Sequence, residues 1–299
     1  MRMKRIVLSF LLILVISQIK AQPLAQRLDS LLSNDPMLRT SEVGITVFDL
    51  TTGESLFQYQ DEKLYRPAST EKVVTSVTAL ATLGLDYTMD TRLQYTGKIE
   101  GDTLKGNLYL IGGFDPEFMD EDLDSLVDVI AGSGIRYITD TLAADVSMTD
   151  SVYWGSGWSW DDVPASFQPY MSPLMLNRGC VDVTVIPTVK DSLPDVVCVP
   201  ASDYYQVDND GVSLNPQAGK LKITRNWLHH GNLIHVSGNV TKETTKTLSI
   251  NDSKNFFFHT FVHRLKAKGI EANVKAFADC PESDSLRVVS PLFTMERPI

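Results

Sequence analysis

A chain of 299 residues is long enough for two domains, or for one domain carrying a large insertion. Hydrophobic residues make up 43% and charged residues 21%, the balance of an ordinary globular protein rather than a disordered or fibrous one. The net charge of −10 repels phosphate backbones and no basic aromatic stripe occurs, so nucleic acid is excluded as a partner.

The first 21 residues differ from the rest. Met1-Arg2-Met3-Lys4-Arg5 is a basic start, residues 6–17 are an apolar run of twelve, and Ala21-Gln22 is a plausible cleavage point. Residues 1–21 therefore read as a signal peptide, with a retained N-terminal anchor as the competing reading. The run is short for a bilayer and no later stretch would span one, so the mature chain is expected to have no integral membrane span and to be exported to the periplasm. Removing Arg2, Lys4, Arg5 and Lys20 leaves 23 basic against 37 acidic residues, a charge of −14. Export permits disulfides. Of Cys180, Cys198 and Cys280, the first two lie on neighbouring strand-like runs and form the favoured pair, leaving Cys280 a free thiol; sequence alone leaves the pairing open.

Residues 24–32, apolar at Leu24, Leu28, Leu31 and Leu32, predict a first helix. Residues 43–50 predict a strand, Thr51-Thr52-Gly53-Glu54 a turn, and residues 55–60 the returning hairpin strand. Then comes Arg66-Pro67-Ala68-Ser69-Thr70-Glu71-Lys72. Pro67 suits a helix entry, and Ser69 and Thr70 can cap the first turn. Val73, Val77, Leu80 and Leu83 recur at helical spacing until Gly84, which predicts a buried helix with Ser69 and Lys72 on one face. A neutral Lys amine can take the Ser proton as the hydroxyl attacks a carbonyl, and the helix N-terminus favours the negative charge that develops. As a bare pattern Ser-x-x-Lys is weak: Ser17-Gln18-Ile19-Lys20 also fits it, and a capping Ser beside a solvated Lys is the plain alternative.

Further segments strengthen the pattern. Pro67 to Lys72 resembles the nucleophile motif of the penicillin-binding protein 4 type D-alanyl-D-alanine carboxypeptidases (peptidase family S13). Gly106-Asn107-Leu108-Tyr109-Leu110-Ile111-Gly112-Gly113-Phe114-Asp115-Pro116 is similar to that family's strand and Gly-Gly-x-Asp-Pro turn. Gly157-Trp158-Ser159-Trp160-Asp161-Asp162 is similar to its Gly-Trp-x-Trp-Asp-Asp segment. Ser172-Pro173-Leu174 through Asn177, and residues 181–185, resemble the family's stretch after that segment. These segments keep the family's order and cover nearly the whole mature chain.

The resemblance implies an α/β (α+β) fold. A serine β-lactamase/transpeptidase-like domain, incomplete here, is interrupted by a β-rich insertion region. The expected organisation is 22–95 as the N-terminal part with the Ser-x-x-Lys helix, 96–250 as the insertion region, and 251–299 as a truncated return segment. It also implies serine-type D-Ala-D-Ala carboxypeptidase activity on peptidoglycan stem peptides, with Ser69 as the acyl-enzyme nucleophile and Lys72 as the base. β-Lactams would be covalent inhibitors, and neither a metal nor an organic cofactor is implied. A catalytically dead cell-wall-binding or interaction module of the same family is the alternative. A β-lactamase is disfavoured by the long insertion.

Within the middle, residues 92–95, 103–111, 135–139, 141–147, 181–188, 196–199, 221–225 and 234–240 predict strands. Residues 118–130 predict a helix whose acidic start at Asp120, Glu121, Asp122 and Asp124 complements its N-terminus better than it suggests a metal. Residues from Ser253 to Gly269 predict an amphipathic helix. Its His259 and His263 have metal-ligand spacing, but Thr260 stands where a metalloprotease needs Glu, so ordinary surface histidines are expected. The Trp154, Trp158 and Trp160 cluster reads as packing before it reads as a lining for peptide or sugar.

Two motifs of the family's site are missing. No Lys-Thr-Gly or Lys-Ser-Gly occurs. Ser-x-Asn occurs as Ser213-Leu214-Asn215, Ser237-Gly238-Asn239 and Ser249-Ile250-Asn251, none in the family's place. Ser290-Pro291-Leu292 resembles the segment before the family's second motif, and the sequence stops at Ile299. Weak or absent acylation is the expectation.

Overall fold

The structure, a computed structural model, describes residues 23–282 and 288–298. The expected signal peptide lies outside the described residues. The chain divides into two compact units, one ending at Thr82 and the other beginning at Leu83.

The first unit opens with helix α1 (Leu24–Asn34) and a short helix α2 (Pro36–Thr40), started by Asp35, whose carboxylate accepts from the Met37 and Leu38 backbone N–H groups. Strands β1 (Ile45–Asp49) and β2 (Glu54–Tyr59) then form the expected antiparallel hairpin. Its turn is shaped by Asp49, which accepts from the N–H groups of Thr51 and Thr52 at 2.8 and 3.3 Å. Those two bonds also hold the Asp49 carboxyl below its usual range. Helix α3 (Glu71–Leu83) comes next. Its burial is where expectation fails: Val73, Val74, Val77 and Leu80 are all exposed, Val73 by 66%. A two-stranded hairpin and two short helices offer too little apolar surface to cover a helix of this length, and only Leu32 and Phe57 are buried among the unit's described hydrophobics.

The second unit has a large core. The strands of its main sheet are β3 (Thr88–Thr96), β4 (Lys98–Glu100), β5 (Thr103–Lys105), β6 (Leu108–Ile111), β7 (Tyr137–Asp145), β14 (Glu271–Phe277) and β15 (Val289–Pro298). Their order is β15-β3-β6-β7-β5-β4, with β14 also on β7. The predicted run 103–111 is two strands, broken at Gly106 and Asn107, whereas 135–147 is largely one. Helices α4 (Asp120–Gly132) and α5 (Ser253–Ala267) complete the core with Leu123, Leu126, Ile130, Phe256, Phe257, Phe261 and Leu265. The Phe118 and Phe257 rings meet at 4.9 Å. Residues expected as a return segment thus supply α5, β14 and β15 to this same core.

Two three-stranded sheets extend the core. They consist of β8 (Cys180–Ile186), β9 (Asp195–Val199), β10 (Gln206–Ser213), β11 (Lys222–Arg225), β12 (Leu233–Val240) and β13 (Thr244–Ser249), in the orders β13-β8-β9 and β10-β12-β11. Here the disulfide expectation is corrected: Cys180, Cys198 and Cys280 are all free thiols. The strands are neighbours as expected, but Cys198 lies opposite Val183, three residues beyond Cys180. An odd offset points the two thiols to opposite faces of the sheet.

The acidic start of α4 is a docking face. Asp120 and Asp124 accept from Arg264 of α5, the latter at 2.8 Å, and Asp128 accepts from Lys268 at 2.6 Å. The Gly112-Gly113-Phe114-Asp115-Pro116 turn is packed tightly: a side chain on Gly112 would lie 2.6 Å from the Pro173 backbone, and one on Gly113 would strike the Asp90 backbone. Asp115, 2% exposed, accepts from the Glu117 N–H and from Arg297 Nε of β15, both at 2.9 Å. Arg297 also donates to Asp122 at 2.8 Å. No helix among the described residues is long and apolar enough to cross a membrane.

Candidate active site

The site is built outward from the hairpin. The Tyr65 hydroxyl lies 2.9 Å from both the Val43 and Gln60 carbonyls, so it ties the segment after β2 back to the start of β1. Its ring occupies the space a side chain on Gly44 would need, 2.5 Å from that Cβ position. A few residues on, a 3-10 turn at Ala68–Thr70 leads directly into α3. Thr70 closes this turn through its N–H to the Pro67 carbonyl at 3.0 Å. Ala68 has φ +46°, a left-handed conformation that costs a non-glycine residue about 1 kcal/mol or more. That strained step immediately precedes Ser69.

Lys72 comes one turn later, and its Nζ lies 3.2 Å from Ser69 Oγ. The helical spacing therefore brings the two predicted side chains together. Both are exposed. With a nucleophilic oxygen and an amine in hydrogen-bond reach at a helix start, the arrangement can do lysine-assisted acyl transfer. It needs neither histidine nor a metal ion as a general base.

Several of the remaining candidates are engaged elsewhere. Ser213 Oγ accepts from the Thr188 N–H at 3.0 Å, Asn215 caps a short turn through the Gln217 N–H, and Asn239 accepts from the Asn215 N–H. Ser237 sits within β12, and Ser249 is fully buried in β13. All three Ser-x-Asn tripeptides belong to the second unit. His259 and His263 both turn Nδ1 to Asp203, at 3.0 and 3.3 Å, and the Tyr204 ring packs on His259. The Tyr65 clamp and the strained Ala68 had no sequence signal beyond the neighbouring Pro67.

Comparison with known proteins gives the family. The model of the D-Ala-D-Ala carboxypeptidase 3 (S13) family matches residues 24–286. The chain belongs to that family. It is 28% identical over 257 residues to a D-alanyl-D-alanine carboxypeptidase of Actinomadura sp., covering 83% of this chain and 47% of that protein. It is 29% identical over 140 residues to the D-alanyl-D-alanine carboxypeptidase DacB of Haemophilus influenzae, covering 47% of this chain and 29% of that protein. The fold matches the crystal structure of penicillin-binding protein 4 (dacB) from H. influenzae, with a TM-score of 0.68 at 21% identity over 85% of this chain and 56% of that one. The same protein complexed with a β-lactam matches with a TM-score of 0.64 at 20% identity, over 90% and 57%. The chain thus spans about half the length of the Actinomadura relative and less of DacB. The expected α/β fold of the penicillin-binding class is the one found.

Proposed function

We propose that this chain is a serine-type D-Ala-D-Ala carboxypeptidase acting on peptidoglycan stem peptides through an acyl-enzyme on Ser69. The observation that carries the proposal is the 3.2 Å approach of Lys72 Nζ to Ser69 Oγ, within the motif of an S13 family member. In the proposed reaction, unprotonated Lys72 takes the Ser69 proton as Oγ attacks the carbonyl carbon of the penultimate D-Ala. The amide bond then breaks, the proton passes to the leaving D-Ala amine, and water hydrolyses the Ser69 ester. β-Lactams would acylate the same oxygen, and export to the periplasm would put the enzyme beside its substrate.

Acylation by these 299 residues alone is proposed to be slow. They hold no Lys-Thr-Gly, and Ser213, Asn215 and Asn239 of their Ser-x-Asn tripeptides have other partners. The division 22–95, 96–250 and 251–299 is proposed on the family resemblance as one of sequence segments, the last of which packs into the core of the second unit. The test is intact-protein mass after incubation with penicillin, mapped to the modified peptide. Slow, substoichiometric labelling of Ser69 that Ser69→Ala abolishes is the expected result. Labelling that survives Ser69→Ala would sink the assignment, and complete rapid labelling would sink the impairment. A folded chain with no adduct would favour the non-catalytic wall-binding alternative.

A further inference from the structure

An aromatic cavity of about 400 Å³ lies in the second unit, far along the chain from Ser69. Two separate stretches build it: Trp154, Trp160 and Tyr170 from one, Trp227, Leu228 and His230 from the other. Trp154 packs on Tyr170 at 5.2 Å, and Trp160 on Trp227 at 5.4 Å with the rings tilted by 35°. Packing alone leaves a cost in place. Trp160 is 67% and Leu228 62% exposed, so two apolar side chains of the cluster face solvent around a hollow rather than filling it.

The wall behind the cavity decides what fits. Arg225, 1% exposed, donates to the Gly231 carbonyl at 2.6 Å and to the Ser249 carbonyl at 2.9 Å, yet its buried Nη2 has no hydrogen-bond partner among the described residues. Its charge acts across to Tyr170, a wall of the cavity. An aromatic box commonly holds an ammonium group. Here a buried guanidinium behind the wall and no carboxylate in the lining make that unfavourable. A neutral ring with one apolar face and a hydroxylated edge suits the site. The face would lie against Trp160 and Trp227, and the edge would reach the Tyr170 hydroxyl and the His230 imidazole.

We propose that this cavity binds an N-acetylated amino-sugar ring of the glycan strand that carries the stem peptide. The choice of sugar rests on the proposed function. Such a site would tether the wall polymer while the peptide is processed elsewhere.

The probe is N,N′,N″-triacetylchitotriose, titrated into the purified chain by calorimetry and tryptophan fluorescence. Saturable binding is expected, weakened about tenfold or more by Trp160→Ala and by Leu228→Glu, and retained in Ser69→Ala. Unfolding midpoints of the variants confirm that each is folded, and the exposed Leu228 provides a second variant should Trp160→Ala unfold. Three results would overturn the proposal: no saturable binding, affinity unchanged in both folded variants, or displacement of the sugar by a sugar-free stem pentapeptide. Penicillin labelling tests the Ser69 assignment separately. Lost sugar binding with Ser69 labelling intact overturns this site alone, and the reverse overturns the Ser69 assignment alone.

Discussion

Cys180 shows how one side chain couples position to chemistry. Burial and the nearby Asp182 carboxylate push its thiol up to about 12, and burial pushes Cys198 up to about 11. At pH 8 the Cys180 thiolate is then on the order of one molecule in ten thousand. Iodoacetamide should spare Cys180 in the native chain and modify it only after denaturant is added; fast native labelling would contradict the buried assignment. The same shift sets a sign for stability. The unfolded thiol ionises near 9.0 and the folded one near 12, so the unfolded state binds fewer protons between those values and stability falls as pH rises through that window. Urea midpoints measured from pH 8 to pH 11 should decline less steeply for Cys180→Ala than for the parent chain. The thiols also mark a limit of sequence reading. Strand adjacency was legible from the apolar runs, but the register that separates Cys180 from Cys198 is not written in spacing. Ser69 and Lys72 were legible because helical periodicity alone sets their distance. The strain at Ala68 was not, since it depends on how the chain enters the turn.

Among elements, those with a strong period were readable and those held by partners were not. The hairpin, α4, α5, β8 and β12 arise from alternation or helical spacing. Strand β10, with the polar run Gln-Val-Asp-Asn-Asp-Gly-Val-Ser, has little apolar pattern and exists because it pairs in parallel with β12. Helix α3 was read correctly as a helix and wrongly as buried, because burial depends on surfaces that local sequence does not supply. Strand β15 is held partly through Arg297, whose guanidinium meets the fully buried Asp115 carboxylate. Arg297→Met should leave that carboxylate with its Glu117 N–H alone and lower the unfolding free energy by about 2 kcal/mol, less than a fully buried pair because Arg297 is one-third exposed. Urea titration of Arg297→Met and of the double variant with Asp115→Asn checks this. Recovery of part of the loss in the double variant is expected; identical losses would mean that the pair carries no coupling.

At the scale of the molecule, the second unit holds one continuous core running from Leu93 through the α4 and α5 contacts to Ile270. Residues 83–299 produced alone should therefore fold, with a single cooperative unfolding transition and native-like near-ultraviolet dichroism from the Trp154 and Trp160 clusters. A non-cooperative melt would show that this core depends on residues 23–82. The charge of −10 is legible directly and predicts a soluble polyanion that avoids acidic polymers. What composition does not reveal is how the core draws on segments distant in sequence, as the pairing of β14 with β7 and of β15 with β3 shows.

The pairing of β3 with β15 has a consequence for biogenesis. Thr88 finds Pro298 as its partner, some 210 positions later in synthesis. Until β15 leaves the ribosome, β3 has an open edge and Asp115 lacks the Arg297 guanidinium. Completion of this sheet consequently waits until β15 has been made, with high contact order and an exposed template for mispairing in the interval. An unfolded nascent chain is also the form in which a polypeptide threads through a secretion channel. The long-range closure would keep this one threadable until β15 has been made.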